Sequence, residues 1–209
     1  MLQYPKGKKR GFDMMYKAAI IGGGAAGLAA AVTAAHMGLN PVLVEAQSRV
    51  GRKLLSTGNG RCNLTNREAA KECYYHGEEK KAAYILRQMP PEKILDFFQR
   101  LGLPCRELAQ GRIYPSSLQA ASVLDTLWTA LTDTGTRTCC DFFVKELKRQ
   151  NGYFQIIGEA GQSLEAKQVL LCTGGKAAPS LGGNGSGLEL ARKLGHRLTA
   201  VKPGLTGIL

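Results

Sequence analysis

Gly22, Gly24 and Gly27 stand in the spacing G-x-G-x-x-G within the stretch Lys17-Ala-Ala-Ile-Ile-Gly-Gly-Gly-Ala-Ala-Gly-Leu-Ala-Ala-Ala-Val32. The chemistry open to such a spacing is anion capture by backbone. Gly22 suits a tight turn, and Gly24 lets the main chain approach a diphosphate. Gly27 lets a helix sit close on a strand, and the unpaired N–H groups opening that helix, around Ala25 and Ala26, face the phosphates. The spacing alone is a weak signal, so its context matters. An apolar run, Ala18 to Ile21, precedes it. Leu28 to Met37 is rich in alanine without a breaker, and Gly38 supplies a stop. A second apolar strand, Pro41 to Val44, ends in Glu45, at the distance where a carboxylate takes the hydroxyls of an adenosine ribose. The alternative is an ordinary glycine turn of an α/β protein. The joint pattern points to a dinucleotide site. A carboxylate at the ribose repels a 2′-phosphate, which disfavours NADP there against FAD or NAD.

A second cluster follows in Ser48-Arg-Val-Gly-Arg-Lys-Leu-Leu-Ser-Thr-Gly-Asn-Gly-Arg-Cys-Asn-Leu-Thr-Asn66. Gly58 and Gly60 permit a backbone nest that can face an anion or a ring edge. Arg52, Lys53 and Arg61 can neutralise phosphate, with arginine offering a planar fork. Asn59, Asn63 and Asn66 supply uncharged donors and acceptors. The alternatives are solvent-facing roles for Arg52 and Lys53 and turn capping by Asn63 or Asn66.

The run GRKLLSTGNGRCNLTN resembles the signature of a bacterial family of FAD-dependent oxidoreductases, named for an aminoacetone oxidase and for a bile-acid reductase of the BaiN type. That signature usually reads GRK, a Ser-Gly-Gly-Gly-like turn, RCN and TN, so Thr57 and Asn59 are variations within it. Gly111-Arg-Ile-Tyr-Pro115, Leu170-Leu-Cys-Thr-Gly-Gly-Lys176 and Gly187-Leu-Glu-Leu-Ala-Arg-Lys-Leu-Gly-His196 agree with it, in order, from Lys17 onward. The resemblance implies a Rossmann-like FAD-binding domain of the glutathione-reductase type, an α/β fold with a three-stranded β-meander and a helical excursion, cut short before an insert domain. It places Gly22, Gly24, Ala25, Ala26 and Gly27 against the pyrophosphate and Glu45 on the ribose. Arg52 and Lys53 would approach the phosphates or the ribityl chain, Val144 would contact adenine through its backbone, and Thr173 and Gly174 complete the set. In the family a later segment closes the sheet and holds the flavin ring. Residues 201–209 are therefore expected to begin the insert, residues 17–200 to form the FAD-binding domain, and residues 1–16 to be a flexible leader.

Positioning such residues requires alternating strands and helices. The excursion is expected over 67–110, with a helix from Glu78 to Gln88. A second helix is opened by Pro90-Pro91-Glu92, carries Ile94, Leu95, Phe98 and Leu101 on one face, and stops at Gly102. Tyr74, Tyr75 and Tyr84 read as core or surface packing, with the lining of a substrate cleft the alternative. A short strand is expected within Leu103 to Leu108. Ser116 or Ser117 can cap a helix running to Thr132 with an apolar stripe of Leu124, Leu127, Trp128 and Leu131. Strands are expected over Asp141 to Lys148, Tyr153 to Gly158 and Leu164 to Leu171, the first two joined by the hairpin signal Asn151-Gly152. Gly182 to Gly187 reads as the turn before an amphipathic helix, Leu188 to Leu194.

Composition narrows the functions. A formal charge of +12 from 28 basic and 16 acidic residues attracts anions, whether a dinucleotide, an acidic substrate or nucleic acid. The positive residues are scattered and form no recognisable nucleic-acid-binding motif. The six cysteines include no C-x-x-C pair, which removes both a zinc site and a dithiol reductase, and a reduced cytoplasmic protein is expected. No metal is expected, and His36 and His196 read as structural. Residues 1–16 carry Lys6, Lys8, Lys9 and Arg10 but no apolar core, so they are no secretory signal. No apolar run has the length to cross a bilayer. The functional expectation is a flavoenzyme, or its FAD-binding half, moving a hydride or electron pair to or from a small-molecule substrate. NADH and NADPH are both compatible as reductant. The alternatives are a truncated non-catalytic FAD-binding remnant and a tRNA-modifying flavoprotein.

Overall fold

The computed structural model describes residues 15–69 and 79–202. In chain order the elements are β1 (Tyr16–Ile21), α1 (Ala25–His36), β2 (Pro41–Val44), α2 (Arg52–Leu55), β3 (Thr65–Asn66), α3 (Glu79–Gln88), α4 (Pro91–Arg100), β4 (Cys105–Leu108), β5 (Arg112–Pro115), α5 (Ala120–Asp133), β6 (Arg137–Cys139), β7 (Val144–Gln150), β8 (Tyr153–Gly158), β9 (Ser163–Leu171) and α6 (Ser186–Lys193). The chain divides into two compact units. One comprises residues 1–53 and 131–209, the other residues 54–130. The second unit is wider than the excursion expected over 67–110.

The first unit is built on a six-stranded sheet in the order β6-β2-β1-β9-β8-β7. β1 pairs in parallel with β2 and β9, and β2 with β6, while β7, β8 and β9 form the antiparallel meander. β9 belongs to both parts. Its first half pairs with β8 and its second half with β1, so the meander and the nucleotide-type half share one strand. Strands buried on both faces read as unbroken apolar runs, and Ala19, Ile20, Val42, Leu43 and Val44 are fully buried. On one face lies a core of Tyr16, Ile21, Val44, Phe142, Leu147 and Ile156 with other residues, reached from α6 by Leu190. α1 buries Gly27, Leu28, Ala31 and Val32. Its alanines make the helix thin, which suits a helix that must lie close to the sheet.

Several expectations shift at their edges. β1 starts at Tyr16, a residue assigned above to the leader. Tyr16 is buried and its hydroxyl accepts a hydrogen bond from Arg137 Nη1 at 3.1 Å. Residues 1–14 lie outside the described residues, as do Tyr74 and Tyr75 and all of 201–209 except Val201 and Lys202. β6 was not expected. Three residues carry too little pattern to read, and the strand exists because β2 offers it a parallel edge.

The second unit contains a small antiparallel sheet in the order β3-β5-β4, of which only β4 was expected. α4 begins at Pro91, a position whose missing N–H costs nothing, and Gly102 just past its end has φ +81°. α5 starts at Ala120, later than a Ser116 or Ser117 cap requires. The Ser117 hydroxyl instead accepts from the Gln119 N–H at 3.2 Å. The stripe of Leu124, Leu127, Trp128 and Leu131 is buried as expected.

Candidate functional site

The glycine turn links β1 to α1, and each glycine in it has a separate reason to be there. Gly22 has φ +111°, and a Cβ on it would lie 2.5 Å from the Cys172 carbonyl oxygen. A Cβ on Gly27 would run into the Gly22 carbonyl, so the first helical turn can pack onto the strand only without one. A Cβ on Gly24 would meet no protein atom within 4 Å. Gly22 and Gly27 are therefore explained by the protein, and Gly24 by space that the protein leaves open. α1 carries no side-chain cap and no acid in its first turn, and Ala25 and Ala26 are exposed, so its opening N–H groups are left to an external acceptor.

Gly23, an x position of the fingerprint, was not singled out by the sequence. Its N–H donates to Glu45 Oε2 at 2.6 Å, and a Cβ there would stand 2.6 Å from Val50 Cγ1 and 3.0 Å from the same carboxylate oxygen. The middle glycine of the Gly22-Gly-Gly24 run was the available signal. Glu45 Oε1 accepts from the Gln47 N–H at 2.8 Å. The main chain of Glu45 takes the Phe142 N–H at 3.0 Å and donates to the Cys139 carbonyl at 2.8 Å. Glu45 thus ties together the glycine turn, the loop after β2 and the crossing from β6 to β7.

Arg52 and Lys53 flank the turn, because the Gly51 N–H donates to the Gly23 carbonyl at 2.8 Å. Their side chains are engaged with protein. Arg52 Nη1 donates to the Gln47 side-chain oxygen and Nη2 to the Ser180 carbonyl at 3.4 Å, while Lys53 Nζ donates to the Ala177 carbonyl at 3.2 Å. Thr173 and Gly174 follow β9 directly. The Thr173 Cα lies 2.9 Å from where a Gly22 Cβ would be, and a Cβ on Gly187 would strike the Thr173 hydroxyl. Val144 opens β7 with its side chain in the core.

Arg61 and Asn63 belong to the second unit, on a loop where Gly58, Asn59, Gly60 and Cys62 all have positive φ. There the Arg61 guanidinium lies 5.6 Å from the centroid of the Tyr114 ring. The same unit holds a cavity of about 670 Å³ lined by Arg67, Leu95, Cys105, Glu107 and Ile113 among others. Tyr84 is 58 % exposed and does not line it.

Cys140 follows β6 beside Glu45. Burial, and then the negative charges of Glu45 and Asp141 with a further contribution from Cys139, push its thiol up to about 12. Burial also raises Cys62, Cys105, Cys139 and Cys172, so none of these thiols is poised as a nucleophile. Among the described residues no cluster of histidine, cysteine or carboxylate side chains could hold a metal ion. No helix among them is long and apolar enough to cross a membrane.

A family model described as the HI0933-like protein Rossmann domain matches residues 16–207. The chain belongs to this family. It is 42 % identical over 194 residues to a 3-dehydro-bile acid delta(4,6)-reductase of Clostridium scindens, covering 91 % of this chain and 47 % of the relative. It is 23 % identical over 205 residues to a ribosomal RNA dihydrouridine synthase of Escherichia coli, again covering 91 % of this chain and 47 % of the relative. The chain therefore spans about half the length of the curated relatives it matches. Among solved structures it resembles the open conformation of a flavocytochrome c3 fumarate reductase, with a TM-score of 0.68 and 18 % identity over 88 % of this chain and 41 % of the other. That likeness is one of fold, and it agrees with the Rossmann-type sheet and meander described above.

Proposed function

We propose that residues 17–200 include the FAD-binding half of a flavin-dependent oxidoreductase. The diphosphate lies along Gly22, Gly24, Ala25, Ala26 and Gly27, and Glu45 meets the adenosine ribose. Thr173 and Gly174 border the turn from β9, and the main chain at Val144 borders the adenine. Arg52 and Lys53, set beside the turn by the Gly51–Gly23 hydrogen bond, would meet the phosphates. The observation that carries this reading is the juxtaposition of Gly24, whose Cβ direction is open, with Glu45, bonded to the neighbouring Gly23 at 2.6 Å. A diphosphate fits the open direction, and the Glu45 oxygens keep lone pairs for ribose hydroxyls. Bound flavin supplies hydride or electron-pair transfer, and the protein supplies binding and orientation.

The two curated relatives support a reading of the substrate class. A 3-dehydro steroid with delta(4,6) unsaturation and a uridine base both present a carbon–carbon double bond conjugated to a carbonyl. The whole protein is accordingly assigned the reduction of such an activated alkene in a small molecule, with NADH or NADPH as electron source. The decisive test is titration of the purified chain with FAD, followed by flavin fluorescence, with ADP as competitor. Saturable binding displaced by ADP supports the reading. A chain that leaves FAD free at tens of micromolar rejects it.

The +12 charge favours a second reading, in which the alkene is a pyrimidine within RNA. A gel shift with ribosomal RNA at physiological salt separates the two, since a small-molecule enzyme gives no discrete complex.

A further inference from the structure

Residues 174–182 leave β9 at the glycine turn and return to α6 with almost no apolar anchorage. Residues 174–180 are all exposed, and Leu181 is half-buried. Their own hydrogen bonds close a small knot, in which the Leu181 and Gly183 N–H groups both donate to the Ala178 carbonyl and the Gly182 N–H donates to the Pro179 carbonyl. Ala178 has φ +55°, a conformation that costs an L-residue energy, and Gly174 and Gly182, with φ +76° and +94°, stand at the two ends as hinges. A Cβ on Gly183 would collide with the Ala177 carbonyl. Two cations of α2 hydrogen-bond the knot to the body of the unit. Lys53 Nζ takes the Ala177 carbonyl on one side of the strained residue, and Arg52 Nη2 takes the Ser180 carbonyl on the other.

Resting on the dinucleotide reading above, we propose that residues 174–182 form a strap that Arg52 and Lys53 latch and that a diphosphate releases by drawing those cations away. Both partners start at the turn. Thr173 abuts Gly22, and Gly51, which precedes Arg52, is bonded to Gly23. A charged phosphate oxygen is a stronger acceptor for a cation than a neutral carbonyl. Among the described residues neither Arg52 nor Lys53 is paired with a carboxylate that would compete for it. Once the flanking carbonyls are freed, only the knot's own three hydrogen bonds offset the positive φ of Ala178, and the knot loosens between its hinges.

Hydrogen exchange read by mass spectrometry on peptides covering 174–185 tests this in the full chain. Without nucleotide, the double variant Arg52→Gln/Lys53→Gln exchanges its 181–183 amides roughly tenfold faster than the parent, the scale of one or two lost hydrogen bonds. The conservative pair Arg52→Lys/Lys53→Arg restores the slow rate, and β1 and α1 exchange alike in all three. Saturating ADP or FAD raises the parent's rate toward that of the double variant and leaves the variant unchanged. Equal rates in parent and variant without nucleotide overturn the latch. A nucleotide that slows the strap in both overturns the release and makes the segment a cover. If neither nucleotide binds, the dinucleotide reading and the release fail together, while the nucleotide-free comparison still decides the latch.

Discussion

The Gly23 N–H meets Glu45 Oε2 at 2.6 Å, and this bond makes one carboxylate serve two ends of the same site. It fixes the middle of the phosphate turn, and it stands at the strand tip where a ribose would lie. Replacing Glu45 by Ala removes both functions. The expected loss in ADP or FAD affinity is about 1.5–3 kcal/mol, the worth of hydrogen bonds to a charged group. Glu45→Gln keeps the acceptor geometry at one oxygen and loses less. Calorimetric titration of the three proteins measures the order, and unchanged affinity in Glu45→Ala would turn the side chain away from the ligand.

Gly24 and Gly27 separate binding from folding. Gly24→Val meets no protein atom near its Cβ and adopts an allowed φ of −79°, so its urea midpoint stays close to the parent's while nucleotide binding disappears. Gly27→Ala drives a methyl into the Gly22 carbonyl and costs about 3 kcal/mol or more of stability. Urea denaturation beside a nucleotide titration resolves the pair. A Gly24→Val protein that still binds FAD would empty the proposal of its central contact.

Thr173 and Gly187 are coupled. Gly187→Ala puts a methyl on the Thr173 hydroxyl and destabilises the chain by about 2 kcal/mol. Adding Thr173→Ala removes the atoms struck and recovers part of that loss. A double-mutant cycle in urea reads the coupling, and strict additivity would show that α6 shifts as a body instead.

The thiols carry a pH signature. Cys140, held near 12 by burial and by Glu45 and Asp141, stays protonated in the folded chain after the unfolded chain ionises near 9. Its contribution to stability is complete below pH 9 and is lost as pH climbs toward 12. At pH 8 iodoacetamide should label it more slowly than a free cysteine, and Glu45→Gln should speed that labelling. Peptide mass mapping over a time course gives both rates, and rapid labelling of Cys140 in the parent chain would contradict the electrostatics.

The parts of this fold legible in one dimension are those governed by near neighbours in the chain. The runs Ala18–Ile21 and Pro41–Val44 announce buried strands, Gly102 and Asn151-Gly152 announce a stop and a hairpin, and the glycine spacing with Glu45 announces the turn and its distant partner. Each signal is local because backbone sterics and side-chain period are local. Contacts between segments were beyond that reach. β6 and β3 are too short to carry a period, and the partners that make them strands are Pro41–Val44 and Arg112–Pro115. Arg52 and Lys53 look alike whether they reach for phosphate or for the carbonyls of residues 177 and 180, more than a hundred positions away. Arg61 and Asn63 share a motif with Lys53 in sequence, yet the chain assigns them to a different compact unit. The sequence by itself determined that a dinucleotide-type turn would form and which residues would flank it. The tertiary structure decided how Gly23 and Glu45 are joined and what the flanking cations hold, because long side chains choose their acceptors only after the backbone has brought those acceptors near.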